Sequence, residues 1–331
     1  MTNYHSAILE KISTSHIMVI GDVILDEYLI GNSTRLSREA PVPVLEFTSR
    51  KLIAGGAGNP SANLSALGAH VYQIGVVGGD EFASPLRQIL QDEKIDISGI
   101  ITDPTRPTTV KTRIMAQMGL RFPQQVARLD RLSRKPVSDD IETTLMGVIA
   151  DKLPQMNAIL CSDYHGGLLT PSLVEKIRMS GGDKLLTADA QGELDKYRGF
   201  DVVKCNADEA QSALGGVLST HDDFAHAAKT LQNRLNLRGG MVITRGGDGM
   251  TIAQATGEVH HIPAPAVTDV YDTVGAGDTA IALLTGALCV GGTYLQAGKL
   301  ANIASGLVVR RVGNYAPSAQ EIITEFVHYE E

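Results

Sequence analysis

Cysteine is scarce and scattered. Cys161, Cys205 and Cys289 are the only three, and no C-x-x-C spacing links them, so neither a zinc site nor a dithiol redox pair can be read from the chain. All three are predicted to be reduced core residues. A surplus of positive charge is also missing: 29 Lys and Arg face 37 Asp and Glu, a formal net charge of −8. That balance argues against nucleic acid or a membrane surface as a general partner and favours small ligands. The opening MTNYHSAILEKISTSHIMVIGD lacks a basic segment followed by an apolar signal core, and the apolar stretch within Thr279 to Val290 is too short to cross a bilayer. A cytoplasmic location is the default expectation. No linker, low-complexity run or internal repeat interrupts the 331 residues, a length that suits a full hydrophobic core.

What is present is an alternation of two kinds of segment. HIMVIGD is an apolar run ending in Gly and Asp, as a buried strand ends at the mouth of a parallel sheet. Similar runs recur at HVYQIGVVG, NAILCSD, KLLTADA, DVVKCN and GMVITRGG, separated by helical segments such as DEFASPLRQILQDE and DDFAHAAKTLQNRL. The pattern predicts an α/β fold with a doubly wound, mainly parallel sheet. Two stretches, about 24–50 and 107–130, instead alternate apolar with polar residues and carry β-branched side chains. Each is predicted to be an antiparallel strand pair, together forming a small β lid inserted into a single domain 1–331. Thr279 to Val290, Tyr294 to Val309 and Ser318 to Tyr329 are predicted helices, the first buried all round.

The stretch DTVGAGDTAIALLTGALCV carries the chemistry. Its G-A-G-D-T-A fits the dinucleotide pattern G-x-G-x-x-G/A, but that reading needs a buried strand before it and an acid ~20 residues on. IPAPAVTDVYDTV is no buried strand, and the neighbourhood of Leu295 has no acid. A glycine turn feeding a helix also makes an anion site, since Gly275 and Gly277 let backbone N–H groups converge on the positive end of the helix dipole. Asp278, in the first helical turn, is then either a capping residue or the base that takes a proton from an attacking hydroxyl. Spacing alone leaves both open.

DTVGAGDTAIALLTGAL resembles the C-terminal signature D-T-x-G-A-G-D of the ribokinase-like sugar kinases, also called the phosphofructokinase B type. IAGGAGNPSANLSALGAHVYQIGVVGGDEFASPL resembles the N-terminal signature of that family, CNADEA its N-x-x-E element and TRGGDGM its T-x-G-x-x-G segment. Within the family the greatest likeness is to the D-glycero-D-manno-heptose 7-phosphate kinases, carried by GDVILDEYLIGNSTRLSREAPVPVLEF, CSDYHGG, VARLD and DAQGELDKYRG. Gly166 and Gln191 stand where those enzymes carry lysines, and Arg38 where they tend to have proline.

The resemblance implies an ATP- and Mg2+-dependent kinase for a sugar or sugar phosphate, with K+ as a further cation. Asp278 would be the base and the amides of Gly275, Ala276 and Gly277 the anion hole. Asp22 would meet sugar hydroxyls, with Asp26 one helical turn beyond it. Gly55 and Gly56 would let the backbone approach the sugar while Asn59 reads a hydroxyl, unless Asn59 is a helix N-cap. Asp163, Lys111, Arg113 and Arg128 are further acceptor contacts, the three cations being otherwise a solvated lid face. Asn206 and Glu209 would orient Mg2+ through water, or else form a capping pair. Thr244, Gly246 and Gly249 would line the nucleotide, Asn302 would lie near adenine, and Asp272 near a monovalent cation. His165, His260 and His261 are expected to be structural or surface residues. Exposed lid edges predict a homodimer. A nucleoside kinase of the same fold is the nearest alternative.

Overall fold

HIMVIG forms β1 (His16–Gly21), buried from Ile17 onward, because it has parallel neighbours on both sides: Ile20 lies opposite Ile74 on one and Cys161 on the other. The computed structural model of the chain describes residues 2–119, 123–267, 270 and 272–330; residues 120–122, inside the second expected lid stretch, fall outside these. The further strands are β2 (Val23–Leu36), β3 (Pro43–Gly56), β4 (His70–Val77), β5 (Asp96–Thr102), β6 (Thr109–Gln117), β7 (Gln124–Arg131), β8 (Ala158–Asp163), β9 (Leu185–Ala190), β10 (Val202–Asn206), β11 (Gly240–Thr244), β12 (Met250–Gln254) and β13 (Val259–Ile262). The helices are α1 (Thr2–Ile12), α2 (Gly58–Ala66), α3 (Ala83–Asp92), α4 (Asp139–Lys152), α5 (Pro171–Ser180), α6 (Ala207–Leu214), α7 (His221–Arg234), α8 (Ala276–Cys289), α9 (Tyr294–Val308) and α10 (Ala319–Glu330).

Among the described residues nine strands make one sheet in the order β13-β12-β11-β10-β9-β8-β1-β4-β5. The ladders from β11 to β5 are parallel, and β12 and β13 add an antiparallel ribbon at one edge. Helices cover both faces, as strand periodicity demands. Ile17 and Val19 of β1 face the core built with α1, α2, α3, α8, α9 and α10, while Met18 and Ile20 face the core built with α4, α5 and α7. The doubly wound α/β expectation is met. Local chemistry starts the helices: Ser138 caps α4, Thr170 caps α5 ahead of Pro171 at the first turn, and reciprocal capping boxes open α6, α7 and α9. α8 is buried from Asp278 to Ala287, matching its run of Ala, Leu and Ile.

β2, β3, β6 and β7 form a second, four-stranded sheet in the order β3-β2-β6-β7. Its outer pairings are antiparallel, but β2 and β6 run parallel. The two expected hairpins therefore join side by side, and the sheet is antiparallel-rich instead of wholly antiparallel. It grows directly out of the main sheet, because β2 begins two residues after β1 ends.

Candidate active site

The strands β1, β8, β9, β10 and β11 end together, and the residues at those ends are Asp22, Asp163, Asp189, Asn206 and Thr244. The carboxyl edge of an open parallel sheet is where such folds expose ligand-binding groups. Against this edge α8 begins. Gly275 is its N-cap at φ 85°, a left-handed conformation that glycine adopts without strain, and a side chain there would press its Cβ to within 2.7 Å of the Asn59 amide. The first amides of α8 have no intrahelical acceptor; that of Ala276 makes a long bond of 3.4 Å to Thr273 O. Ser305 of α9 ties the helix start down, donating to Ala276 O at 3.0 Å.

Asp278 sits in the first turn of this helix and is buried. The carboxylate is held on both oxygens: Tyr164 donates its hydroxyl to Oδ1 at 2.5 Å, and Asn59 donates Nδ2 to Oδ2 at 2.8 Å. Burial pushes its pKa up to about 6, the negative charge of Asp189 adds to this, and the two donors and Lys204 oppose it. The capping alternative does not describe this carboxylate, since the N-cap is Gly275 and the side chain faces Asn59 and Tyr164. Nor is Asn59 an N-cap: that position of α2 belongs to Ala57, and Asn59 projects from the first turn. Beneath them lies a buried ion pair, Lys204 Nζ to both oxygens of Asp189 at 2.8 Å. Burial disfavours the ammonium, but Asp189, with smaller contributions from Asp278 and Glu209, outweighs it and raises its pKa.

A cavity of about 1040 Å³ opens over the α8 N-terminus. It brings together ten expected residues: Asn206, Glu209, Thr244, Gly246, Gly249, Asn302 and the run Gly275, Ala276, Gly277 and Asp278. Asn206 caps α6 through Oδ1 to the Glu209 amide at 2.8 Å, and Glu209 returns Oε2 to the Asn206 amide at 2.7 Å. The capping pair and the cavity wall are thus the same two residues. Burial raises the Glu209 pKa. Asn302 donates Nδ2 to the carbonyls of Ile262 and Pro263, both at 2.9 Å, which anchors the end of β13 to the cavity rim. The described residues between Ile262 and Ala276 include no strand, so the context of a dinucleotide loop is absent. Asp272 lies outside the cavity lining; its oxygens accept from the amides of Val274 and Gly313, joining the turn before α8 to a C-terminal loop.

The residues expected on the acceptor side divide. Gly55 and Gly56 close β3 against Asp26 and the main chain of Asp22. Asp22 accepts from the amides of Tyr164 at 3.0 Å and Gly166 at 2.9 Å, and burial raises its pKa. Asp26 is on a strand, contrary to the helical spacing expected, and pairs with Arg113 at 2.6 Å and Asn314 at 2.9 Å. Arg113 is therefore a buried structural partner and not a solvated lid cation. Arg128 lies on exposed β7 and forks onto both oxygens of Asp130 at 2.9 Å. Asp163 is 2% exposed and turned into the fold: it receives Lys196 at 2.5 Å and the Tyr197 hydroxyl at 2.6 Å. Those bonds occupy the group expected to meet the acceptor. Lys111 differs from the other cations. The strand partners opposite it are Asp26 and Asp130, both already committed, and Lys111 Nζ lies 4.9 Å over the Tyr164 ring. Of the histidines, His165 takes a left-handed φ of 56° in the loop after β8, and His260 and His261 lie on β13.

Four participants were not singled out from sequence: Tyr164, Lys204, Asp189 and Asn314. Lys204 and Asp189 left a signal, as charges inside the otherwise apolar strands DVVKCN and LLTADA. Asn314 gave none, because only folding brings its loop to Asp26 and Asn59.

The profile of the pfkB family carbohydrate kinases matches residues 14–122 and 173–321. The protein is 38% identical over 314 residues to the bifunctional protein HldE of Geotalea uraniireducens (strain Rf4), which covers 94% of this chain and 63% of that one. The HldE of Geobacter metallireducens is 38% identical over 309 residues, 92% of this chain and 62% of the relative. The chain therefore spans less than two thirds of these relatives' length. Arabidopsis thaliana ribokinase complexed with ribose and ATP superposes with a TM-score of 0.74 at 16% identity over 94% of this chain and 98% of its own. Escherichia coli phosphofructokinase-2 in complex with substrates and products gives 0.77 at 16% identity, over 96% and 100%. These likenesses carry the fold alone, which is ribokinase-like. On the strength of the profile match and the HldE identities, the chain belongs to the pfkB family of carbohydrate kinases.

Proposed function

We propose that the protein transfers the γ-phosphoryl group of ATP to a hydroxyl of a sugar phosphate, with heptose 7-phosphate the first acceptor to try. The observation that carries this reading is the placement of Asp278: a buried carboxylate with a pKa of about 6, at the positive end of α8 and on the wall of the large cavity. A base is most effective when its pKa lies near the working pH. Phosphoryl transfer asks the protein mainly for positioning and charge stabilisation. Asp278 takes the proton of the attacking hydroxyl, and the amides of Gly275, Ala276 and Gly277 face the phosphoryl oxygens. Thr244, Gly246, Gly249 and Asn302 form the nucleotide side. Asn59, Gly55, Gly56 and Asp22 lie toward the acceptor, Asp22 acting by fixing the loop of Tyr164 and Gly166.

Mg2+ supplies charge neutralisation on the transferred group. Asn206 and Glu209 fit it as water-mediated holders, since Mg2+ keeps several waters and uses few direct carboxylates, and Glu209 commits only Oε2 to the capping box. A monovalent cation such as K+ near Asp272 belongs to the same proposal; with both carboxylate oxygens accepting amides, its ligands would be main-chain carbonyls.

The HldE relatives and the heptose-kinase motifs favour a phosphorylated acceptor. Gly166 replaces one expected lysine, and a Cβ there would come within 2.5 Å of Asp22 Oδ1, so no side chain fits without moving that carboxylate. Lys111 is left to meet the acceptor's anion. The test is ADP release across heptose 7-phosphate, hexose phosphates, free sugars and nucleosides, run beside Asp278→Asn. Turnover of a sugar phosphate with loss in the variant is expected. A preference for nucleosides makes it a nucleoside kinase, and an Asn variant as fast as the wild type removes Asp278 as base.

A further inference from the structure

The motif CSDYHGG holds one side chain to which the reading above gives no task. Tyr164 follows Asp163 at the end of β8, and its amide and that of Gly166 both donate to the buried Asp22. The loop is thus fixed from below before its side chain is considered. From there the phenol reaches Asp278 Oδ1, on the opposite side of the carboxylate from the Asn59 amide on Oδ2. A carboxylate offers about four lone-pair sites, and one donor on each oxygen holds its plane while leaving a site on each for an incoming hydroxyl. Above the ring lies Lys111 of β6, so the same side chain touches the lid.

We propose that Tyr164 is a positioning residue for phosphoryl transfer, holding the Asp278 carboxylate in its reactive orientation and joining it to the lid through Lys111. The inference rests on Asp278 being the base. Tyr164 is suited to hold and not to compete. Burial pushes the phenol's pKa well above its usual value, and the charges of Asp278 and Asp189 push it the same way, so it keeps its proton and stays a donor. The ionisable groups facing Asp278 are Asp189 on β9, Lys204 on β10 and Tyr164 itself. Asp189 and Lys204 pair with each other across 2.8 Å, and Asp278 is bonded directly by the phenol and by the Asn59 amide, of which the phenol lowers its pKa the more.

Tyr164→Phe keeps the ring, its packing and its face toward Lys111, and deletes only the donor. Two readouts apply to the folded variant, confirmed by a melting curve. The first is the 13C carboxyl titration of Asp278 in the ligand-free protein, assigned with Asp278→Asn. Loss of a donor to a carboxylate raises its pKa, so the midpoint should rise above that of the wild type. The second is the pH profile of kcat/KM with whichever acceptor turns over. Its acid limb should move up with the carboxyl midpoint, and kcat at neutral pH should fall about tenfold, as expected for losing a hydrogen bond to a charged group, with KM for ATP within about twofold of wild type. A midpoint and profile that both stay at their wild-type positions overturn the proposal. A wild type that phosphorylates nothing while the midpoint still moves sinks the kinase reading instead, leaving the contact between Tyr164 and Asp278 established.

Discussion

Ionising a buried carboxylate works against the folded state, and Asp278 makes that tension measurable. Its pKa is about 6 against the ordinary aspartate value of 3.8, so between roughly pH 4 and pH 6 the folded protein binds more protons at this site than the unfolded chain. Stability at this site therefore falls as pH rises through that window, by up to about 3 kcal/mol at neutral pH. Asp278→Asn should lose turnover by about 10³-fold and yet unfold at higher urea concentration at pH 7, the gain shrinking as pH drops to 4. Equal destabilisation at both pH values would count against the burial argument. The acid limb of kcat/KM in the wild type should fall near pH 6, in a profile measured with saturating Mg2+. The position of Asp278 at the start of a helix was legible from the glycine turn before it, and its candidacy as a base only from the family motif, since spacing left capping equally open. Tyr164 and Asn314 were not: a hydroxyl and an amide acquire a role only from what folding places beside them, and Asn314 meets Asp26 across 288 positions.

Elements were read more completely than contacts. The unbroken apolar run in HIMVI predicts a strand buried on both faces, and each face finds its own helices. The lid stretches were visible as hairpins, but the parallel junction of β2 with β6 was not, because strand pairing between distant segments leaves no local pattern. That junction decides which lid cations are available. It sets Lys111 opposite Asp26, whose carboxylate Arg113 takes, and leaves Lys111 over Tyr164. Lys111→Met should raise KM for a phosphorylated acceptor at least about tenfold, the scale of one lost charged contact, while KM for ATP stays within about twofold; an unchanged acceptor KM removes Lys111 from the site. On the nucleotide side, Asn206 is both the cap of α6 and cavity wall. Asn206→Ala should cost about 1 kcal/mol of stability and raise KM for ATP, a pairing checked by urea melts beside kinetics. Loss of stability with KM for ATP unaltered reduces Asn206 to a cap.

At the scale of the molecule, the main sheet places its ligand-binding ends on one edge while the lid leaves strand edges in solvent. β7 is exposed along its whole length, and Phe47 and Leu129 of the lid are 70% and 68% exposed. Open strand edges with apolar side chains seek a partner, and sedimentation is expected to show a dimer that Leu129→Lys weakens; a monomer at every working concentration contradicts this. Among the described residues no helix is long and apolar enough to cross a membrane. The layering followed from the order of segments along the chain, whereas the site's polar network did not, since it is assembled from both ends. Asn59 reaches Asp278 across 219 positions, and Asn314 closes the ring on Asp26 and Asn59. Contacts of such separation form late, after most of the chain-ordering entropy has been lost. During synthesis, then, Asp26 and Arg113 can pair as soon as β6 has emerged, while Asn59, Tyr164, Asp189 and Lys204, the groups that tune Asp278, wait for a carboxylate that leaves the ribosome after all of them; Asn314, the last of the ring to arrive, then braces Asn59 and Asp26 from the far side.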